Sequence, residues 1–170
     1  MGSDGLKRAL LLALLACAGC GGESPSAGRV EVDSVRDGDT ILLDDGRRVR
    51  LVQVDAPELG RECYGDEAAA ALARLAPPGT ELRLERDPRL DDVDRHGRLL
   101  RYAFAGATNL NLEVVRAGTA APYFYRGERG RYARGLVTAA EDAQQARRGL
   151  WGACPRARLR PEHQVETGPP

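Results

Sequence analysis

The alanine-rich run Ala68 to Leu75 stops at Pro77-Pro78-Gly79, and it stands between two sets of short, alternating apolar segments. A proline pair cannot continue a helix, because proline lacks the N–H donor and its ring clashes with the preceding turn. The run is therefore one isolated helix set into a chain of strands, with the acids Asp66-Glu67 at its positive end. Upstream, Val30, Val32 and Val35 suggest a first strand, and Thr40 to Leu43 with Val49 to Val54 reads as a hairpin turned at Asp44-Asp45-Gly46. Downstream, Thr80 to Glu85, where Leu82 and Leu84 alternate with charges, and Leu100-Tyr102-Phe104 supply two more strands. Asn109 to Ala117, ended by Gly118, is a short helix. Tyr132 to Arg148 is a longer one, with Tyr132, Leu136, Ala140, Ala143 and Ala146 near one face. Five strands with a helix between the third and fourth, and about three helices in all, describe a mainly β chain of the α+β class. They suit a five-stranded OB-type barrel, whose closure covers the edges that a small open sheet would leave bare.

The chain has 170 residues, enough for one domain with short appendages. Apolar residues make up 42% and charged ones 29%, which excludes wholesale disorder. Only 5% is aromatic, so Leu, Val and Ala must build the core. The 25 basic and 25 acidic residues cancel, and bulk charge gives no reason to expect a nucleic-acid partner. The distribution is uneven: Arg29 to Val115 holds 13 Arg against 18 acids, whereas Arg116 to Arg160 holds 10 Arg against 3 acids. The second region is either the solvated face of a helix or a place for phosphate oxygens, which the planar Arg fork matches.

At the start, Lys7 and Arg8 precede the apolar run Ala9 to Ala16, which leads into Cys17-Ala18-Gly19-Cys20. This succession reads as a bacterial export signal over residues 1–19, followed by a flexible linker over 20–28. It resembles a lipoprotein signal in which Cys20, or alternatively Cys17, becomes the acylated N-terminus. An ordinary cleaved secretory peptide that happens to contain cysteine is the other reading. The expected location is the cell envelope by a lipid anchor, or the periplasm or medium. In that oxidising setting Cys63 and Cys154 are left as a natural disulfide pair enclosing about 90 residues. The folded domain is expected over 29–153. Residues 154–170, with Pro161, Pro169 and Pro170 and no apolar periodicity, read as a disordered tail.

Three polar clusters carry chemistry. Asp37-Gly38-Asp39-Thr40 taken alone is an ordinary turn. In Arg50-Leu51-Val52-Gln53-Val54-Asp55-Ala56-Pro57-Glu58, the residues Arg50, Val52 and Val54 are expected on one strand face, with Asp55 and Glu58 where the strand breaks at Pro57. An Arg on a valine face must meet carboxylates or a ligand phosphate. Asp94-Arg95-His96-Gly97-Arg98 taken alone is a charged hairpin loop. Together they supply carboxylates for a metal, a separate acid and two separated Arg, the parts needed to cleave a phosphodiester.

These clusters, with Asn111-Leu112-Glu113-Val114-Val115-Arg116-Ala117-Gly118 and Gly149-Leu150-Trp151, resemble the staphylococcal nuclease (thermonuclease) family in order and spacing, over about Val30 to Trp151. The resemblance implies an OB-type barrel with three helices. It implies Ca²⁺ held by Asp39, Asp55 and the Ala56 main-chain carbonyl, with Asp37 orienting the site. The family usually has Thr where this chain has Ala56. The resemblance further implies that Arg50 and Arg98 bind the scissile phosphate and that Glu58 activates or orients the attacking water. Tyr123 and Tyr125 match the aromatic pair lining the nucleotide pocket, although tyrosines packed in the core would fit the sequence as well. Arg126, Arg129, Arg131 and Arg134 could hold the nucleic-acid backbone beyond the site.

The implied activity is Ca²⁺-dependent endonucleolytic hydrolysis of single-stranded DNA and RNA to 3′-phosphate products, by a monomer. The alternative is a catalytically inactive module of the same fold that binds nucleic acid or peptide. A structural lipoprotein would explain the cysteines and leave the polar clusters unexplained.

Overall fold

The computed structural model describes residues 29–170. The expected export signal, with Cys17 and Cys20, and the expected linker through residue 28 lie outside the described residues. The strands are β1 Val30–Val35, β2 Thr40–Leu43, β3 Arg48–Leu51, β4 Val54–Asp55, β5 Glu81–Glu85, β6 Leu99–Ala105, β7 Thr108–Asn109 and β8 Ala121–Pro122. Helix α1 spans Gly65–Leu75, α2 Leu110–Arg116, α3 Ala133–Gln145 and α4 Leu150–Ala153. The main sheet runs β3-β2-β1-β5-β6-β7, and a further parallel pairing of β3 with β6 closes five of its strands into a barrel. Helix α1 falls between the third and fourth barrel strands, as the proline stop requires, and the architecture is the OB type.

Alternation drives the closure. In β1, Val30 and Val32 are buried while Glu31 and Asp33 face water. Ile41, Leu43, Val49, Leu51, Leu72, Leu82, Leu110, Val114 and Leu136 meet them in one core. Each such side chain contributes about 1.5–3 kcal/mol by leaving water. Asn109 caps α2 by accepting from the Leu112 amide at 3.2 Å. The next polar residue, Asn111, is fully buried: its Oδ1 accepts from the Ala103 amide at 3.0 Å and its Nδ2 donates to the Val52 carbonyl at 2.9 Å. It fastens α2 to the strands that carry the site.

Three expectations are corrected. First, the strand read as Val49 to Val54 is broken in its middle. Gln53 adopts a φ of 60°, the left-handed region, so β3 ends at Leu51 and Val54-Asp55 pairs with β8 instead. Arg50, Val52 and Val54 therefore do not share a strand face. Second, α3 ends at Gln145 short of Arg148, because Arg147 turns to a φ of 52° ahead of Gly149.

Third, residues 154–170 carry no periodicity yet lie against the body. Ala157, Val165 and Thr167 are buried, the Phe124 amide donates to the Pro161 carbonyl at 2.6 Å, and the Cys63 amide donates to the Gly168 carbonyl at 2.8 Å. Main-chain hydrogen bonds to two distant segments replace the regular structure that periodicity would have announced. Cys63 and Cys154 form the disulfide, with Cα atoms 5.9 Å apart. Beside it, Trp151, Leu150, Ala157 and Val165 make a second small core.

Candidate active site

The Asp37–Thr40 turn and the Asp55–Glu58 segment are pressed together through a missing side chain. A Cβ on Gly38 would stand 2.6 Å from the Cβ of Ala56 and 2.8 Å from that of Ala68, so only glycine lets the two segments and α1 touch. Once in contact they are bonded. The Ala56 amide donates to Asp39 Oδ2 at 3.0 Å, and the Asp39 amide donates to Asp37 Oδ1 at 3.0 Å. A close approach at Gly65, where a Cβ would fall 2.3 Å from the Glu58 carbonyl oxygen, seats the start of α1 against the same segment.

Arg50 leaves β3 and reaches the floor of this cleft. Its Nη1 donates to the carbonyls of Leu51, at 3.1 Å, and Val54; its Nη2 lies 2.8 Å from Asp55 Oδ1 and 3.0 Å from Asp39 Oδ2. Main-chain carbonyls on one edge of the guanidinium and carboxylates on the other fix its plane. The left-handed turn at Gln53 makes this possible by curling the Val54 carbonyl back toward β3. Arg98 arrives from the loop just before β6. Its Nε donates to Asp94 Oδ2 at 2.7 Å and its Nη1 to Thr40 Oγ1 at 3.2 Å, while Thr40 in turn donates to Asp39 Oδ1 at 3.0 Å. Thr40 thus links the second Arg to the first carboxylate.

Burial pushes the Asp39 carboxyl up to about 7; Arg50 opposes that shift, and the neighbouring charges of Asp37 and Asp55 reinforce it. Asp55 is also raised by burial, against Arg50 and the Val165 amide, which donates to its Oδ2 at 2.8 Å. A carboxyl that binds its proton more tightly folded than unfolded makes the fold lose stability as pH climbs from the ordinary Asp value to the raised one. Asp39→Asn is therefore expected to stabilise the metal-free protein at pH 8 and to be neutral near pH 3. Urea unfolding at the two pH values checks this. A variant equally or less stable at pH 8 contradicts the burial argument.

Asp37, Asp39, Arg50, Asp55, Ala56, Pro57, Glu58, Arg98 and Gln164 line one small cleft of about 60 Å³. Glu58 is exposed at its mouth. Among the described residues no group of three or more His, Cys, Asp or Glu is placed to hold a metal ion. Two carboxylates with a main-chain carbonyl and water remain a suitable set for a hard cation that keeps part of its hydration, and no thiolate or imidazole lines the cleft. Those residue types suit a hard divalent cation.

Tyr123 and Tyr125 lie outside the cleft lining, on the loop after β8, with ring centroids 6.5 Å apart. Tyr125 is 52% exposed and Tyr123 half-buried, so neither ring is packed in the core. Of the four nearby Arg, Arg126 lies over the Tyr125 ring, Arg129 pairs with Glu162 at 2.8 Å and Arg131 pairs with Glu85.

Gln53 holds this loop in place, a role the sequence reading did not assign. Its Nε2 donates to the Glu128 carbonyl at 2.7 Å, its Oε1 accepts from the Gly130 amide at 3.0 Å and from the Tyr102 hydroxyl at 2.8 Å, and its carbonyl accepts from the Tyr123 amide at 3.0 Å. A lone amide side chain between two valines was the available signal. The contributions of Gln164 and Val165 had none.

A closed OB-type barrel that gathers two guanidinium groups, two buried carboxylates and an exposed acid at one cleft defines a protein equipped for phosphate esters. The family model described as Staphylococcal nuclease homologue matches residues 48–153, and the chain belongs to that family. It is 33% identical over 129 residues to the thermonuclease of Staphylococcus hyicus, covering 71% of this chain and 74% of the relative. Over 135 residues it is 34% identical to the micrococcal nuclease of Shigella flexneri, covering 72% and 73%. An uncharacterized endonuclease of Escherichia coli O157:H7 is 36% identical over 121 residues, covering 69% and 72%.

Proposed function

We propose that this chain is a Ca²⁺-dependent endonuclease that hydrolyses phosphodiester bonds of single-stranded DNA and RNA and leaves 3′-phosphates. The observation that carries the reading is the convergence of Asp39, Arg50, Asp55, Glu58 and Arg98 on one cleft. Relatives that bear nuclease names support it. Attack at phosphorus concentrates negative charge on the phosphoryl oxygens, and preorganised guanidinium groups stabilise that charge more than the resting ester. Arg50 is anchored by two carbonyls and Arg98 by Asp94 and Thr40, so both are set before substrate arrives. Glu58, exposed beside them, orients the attacking water or takes its proton. Ca²⁺ held by Asp39, Asp55 and the Ala56 carbonyl would neutralise further charge on the phosphate. Tyr123 and Tyr125 offer rings for a base to stack on.

The mature protein is expected to digest single-stranded DNA with Ca²⁺ and to stop when a chelator is added. Retention of DNA without digestion would instead mark an inactive binding module. Glu58→Gln and Arg98→Ala are each expected to lower kcat on the order of a hundredfold or more with the far-UV circular dichroism unchanged. Wild-type rates in both would reject their roles.

The cell-envelope reading belongs to the same proposal. The disulfide supports an oxidising compartment, and mass analysis of the exported N-terminus tests acylation at Cys20 or Cys17.

A further inference from the structure

The segment after α4 crosses the molecule as a strap. At one end the Pro161 carbonyl accepts from Phe124, between Tyr123 and Tyr125, and Glu162 pairs with Arg129 on the same loop. At the other end the Gly168 carbonyl accepts from Cys63, next to the disulfide. Val165 and Thr167, 5% and 2% exposed, anchor the middle. Next to Val165, Gln164 lines the cleft, and the Val165 amide donates to Asp55 Oδ2 across 110 residues of sequence.

From these contacts we infer that residues 161–168 are a working wall of the cleft, with the Val165 main-chain amide as the positioning group for Asp55. The inference rests on the nuclease reading. Asp55 sits on a two-residue strand, and its two oxygens are divided between Arg50 on Oδ1 and Val165 on Oδ2. An amide donor on Oδ2 stops the carboxylate from rotating and keeps Oδ1 turned to Arg50 and the cleft. A neutral main-chain donor does this without adding a positive charge that would compete with a cation. The same strap grips the tyrosine loop, so one element sets the distance between the cleft and the place where a base would lie. Gln164 is exposed, and Glu58 stays open at the mouth, so the strap borders the cleft without filling it.

Val165→Pro removes the N–H, and Val165→Ala keeps it while trimming the buried side chain. Calorimetric titration with Ca²⁺ in the absence of nucleic acid is expected to show about tenfold weaker binding for Val165→Pro and near wild-type binding for Val165→Ala. On single-stranded DNA, kcat should fall with the affinity in Val165→Pro, while KM changes less. A chain ending at Arg160 should lose both and also raise KM, as the tyrosine loop is released. Hydrogen exchange on the full metal-free chain should show a protected Val165 amide. Unchanged Ca²⁺ affinity in Val165→Pro, a rapidly exchanging Val165 amide, or faster digestion by the shortened chain would each overturn the inference, the last by making the strap a plug. A wild-type protein that neither binds Ca²⁺ nor cuts DNA would refute the nuclease reading instead, and the exchange experiment would still decide whether the strap is seated.

Discussion

Arg50→Ala is expected to lose digestion by a hundredfold or more and, unlike Arg98→Ala, to lose stability as well. The difference follows from burial. The Arg50 side chain is 12% exposed and faces two carboxylates that are each 8% exposed, whereas the Arg98 side chain is 24% exposed and pairs with an Asp94 that is itself partly open. Removing one partner of a buried ionic group leaves the others uncompensated, which costs about 3–5 kcal/mol. The loss should depend on pH in a particular direction. Below pH 5 Asp39 is protonated in the fold and no longer needs its cation, so the penalty is smallest there; it grows as pH rises past about 7, where Asp39 of the wild type ionises. Urea unfolding of wild type and variant at pH 5 and pH 8 measures this, alongside kcat on single-stranded DNA. Equal stability losses at both pH values would remove Asp39 from the explanation.

Replacing Cys63 and Cys154 together by serine is expected to cost up to about 4–5 kcal/mol, because the bond closes a loop of 91 residues whose freedom in the unfolded chain is otherwise large. For a domain of this size that corresponds to a midpoint lower by ~15 °C. Calorimetry of the oxidised protein with and without reductant reads the same quantity in the unmutated chain. A midpoint indifferent to reductant would show that the bond carries no constraint. The loss should reach the cleft, since the Cys63 amide holds Gly168 and Val165 packs in the cluster around the disulfide.

Much of the barrel was legible because its signals are local and periodic. Val30, Val32, Leu82 and Leu84 alternate, Asp44-Asp45-Gly46 turns the hairpin, and Pro77-Pro78-Gly79 ends α1. Of the three polar clusters only Arg50 stood out as unlike solvation, the turn and the charged loop having ordinary readings on their own; Arg50 does lie against Asp39 and Asp55, although the valine face that prompted the reading is broken at Gln53. What escaped was set by contacts rather than pattern. Gln53 takes a left-handed φ that few residues favour, held there by a loop some 75 residues away, so an uninterrupted strand was the natural reading. The strap has neither helical nor strand spacing, and its order comes from single hydrogen bonds to partners such as Phe124, Asp55 and Cys63 that no sequence window contains.

The parallel seam between β3 and β6 pairs Arg50 with Leu100, two positions beyond Arg98. The two guanidinium groups thus become neighbours only when strands far apart in the sequence meet side by side, among the slower kinds of contact to form. Until that seam forms the polypeptide owns two unrelated cations. The pairing of the two cations is then a property of the finished barrel alone, and the same chain unfolded carries the parts of the cleft without its edge.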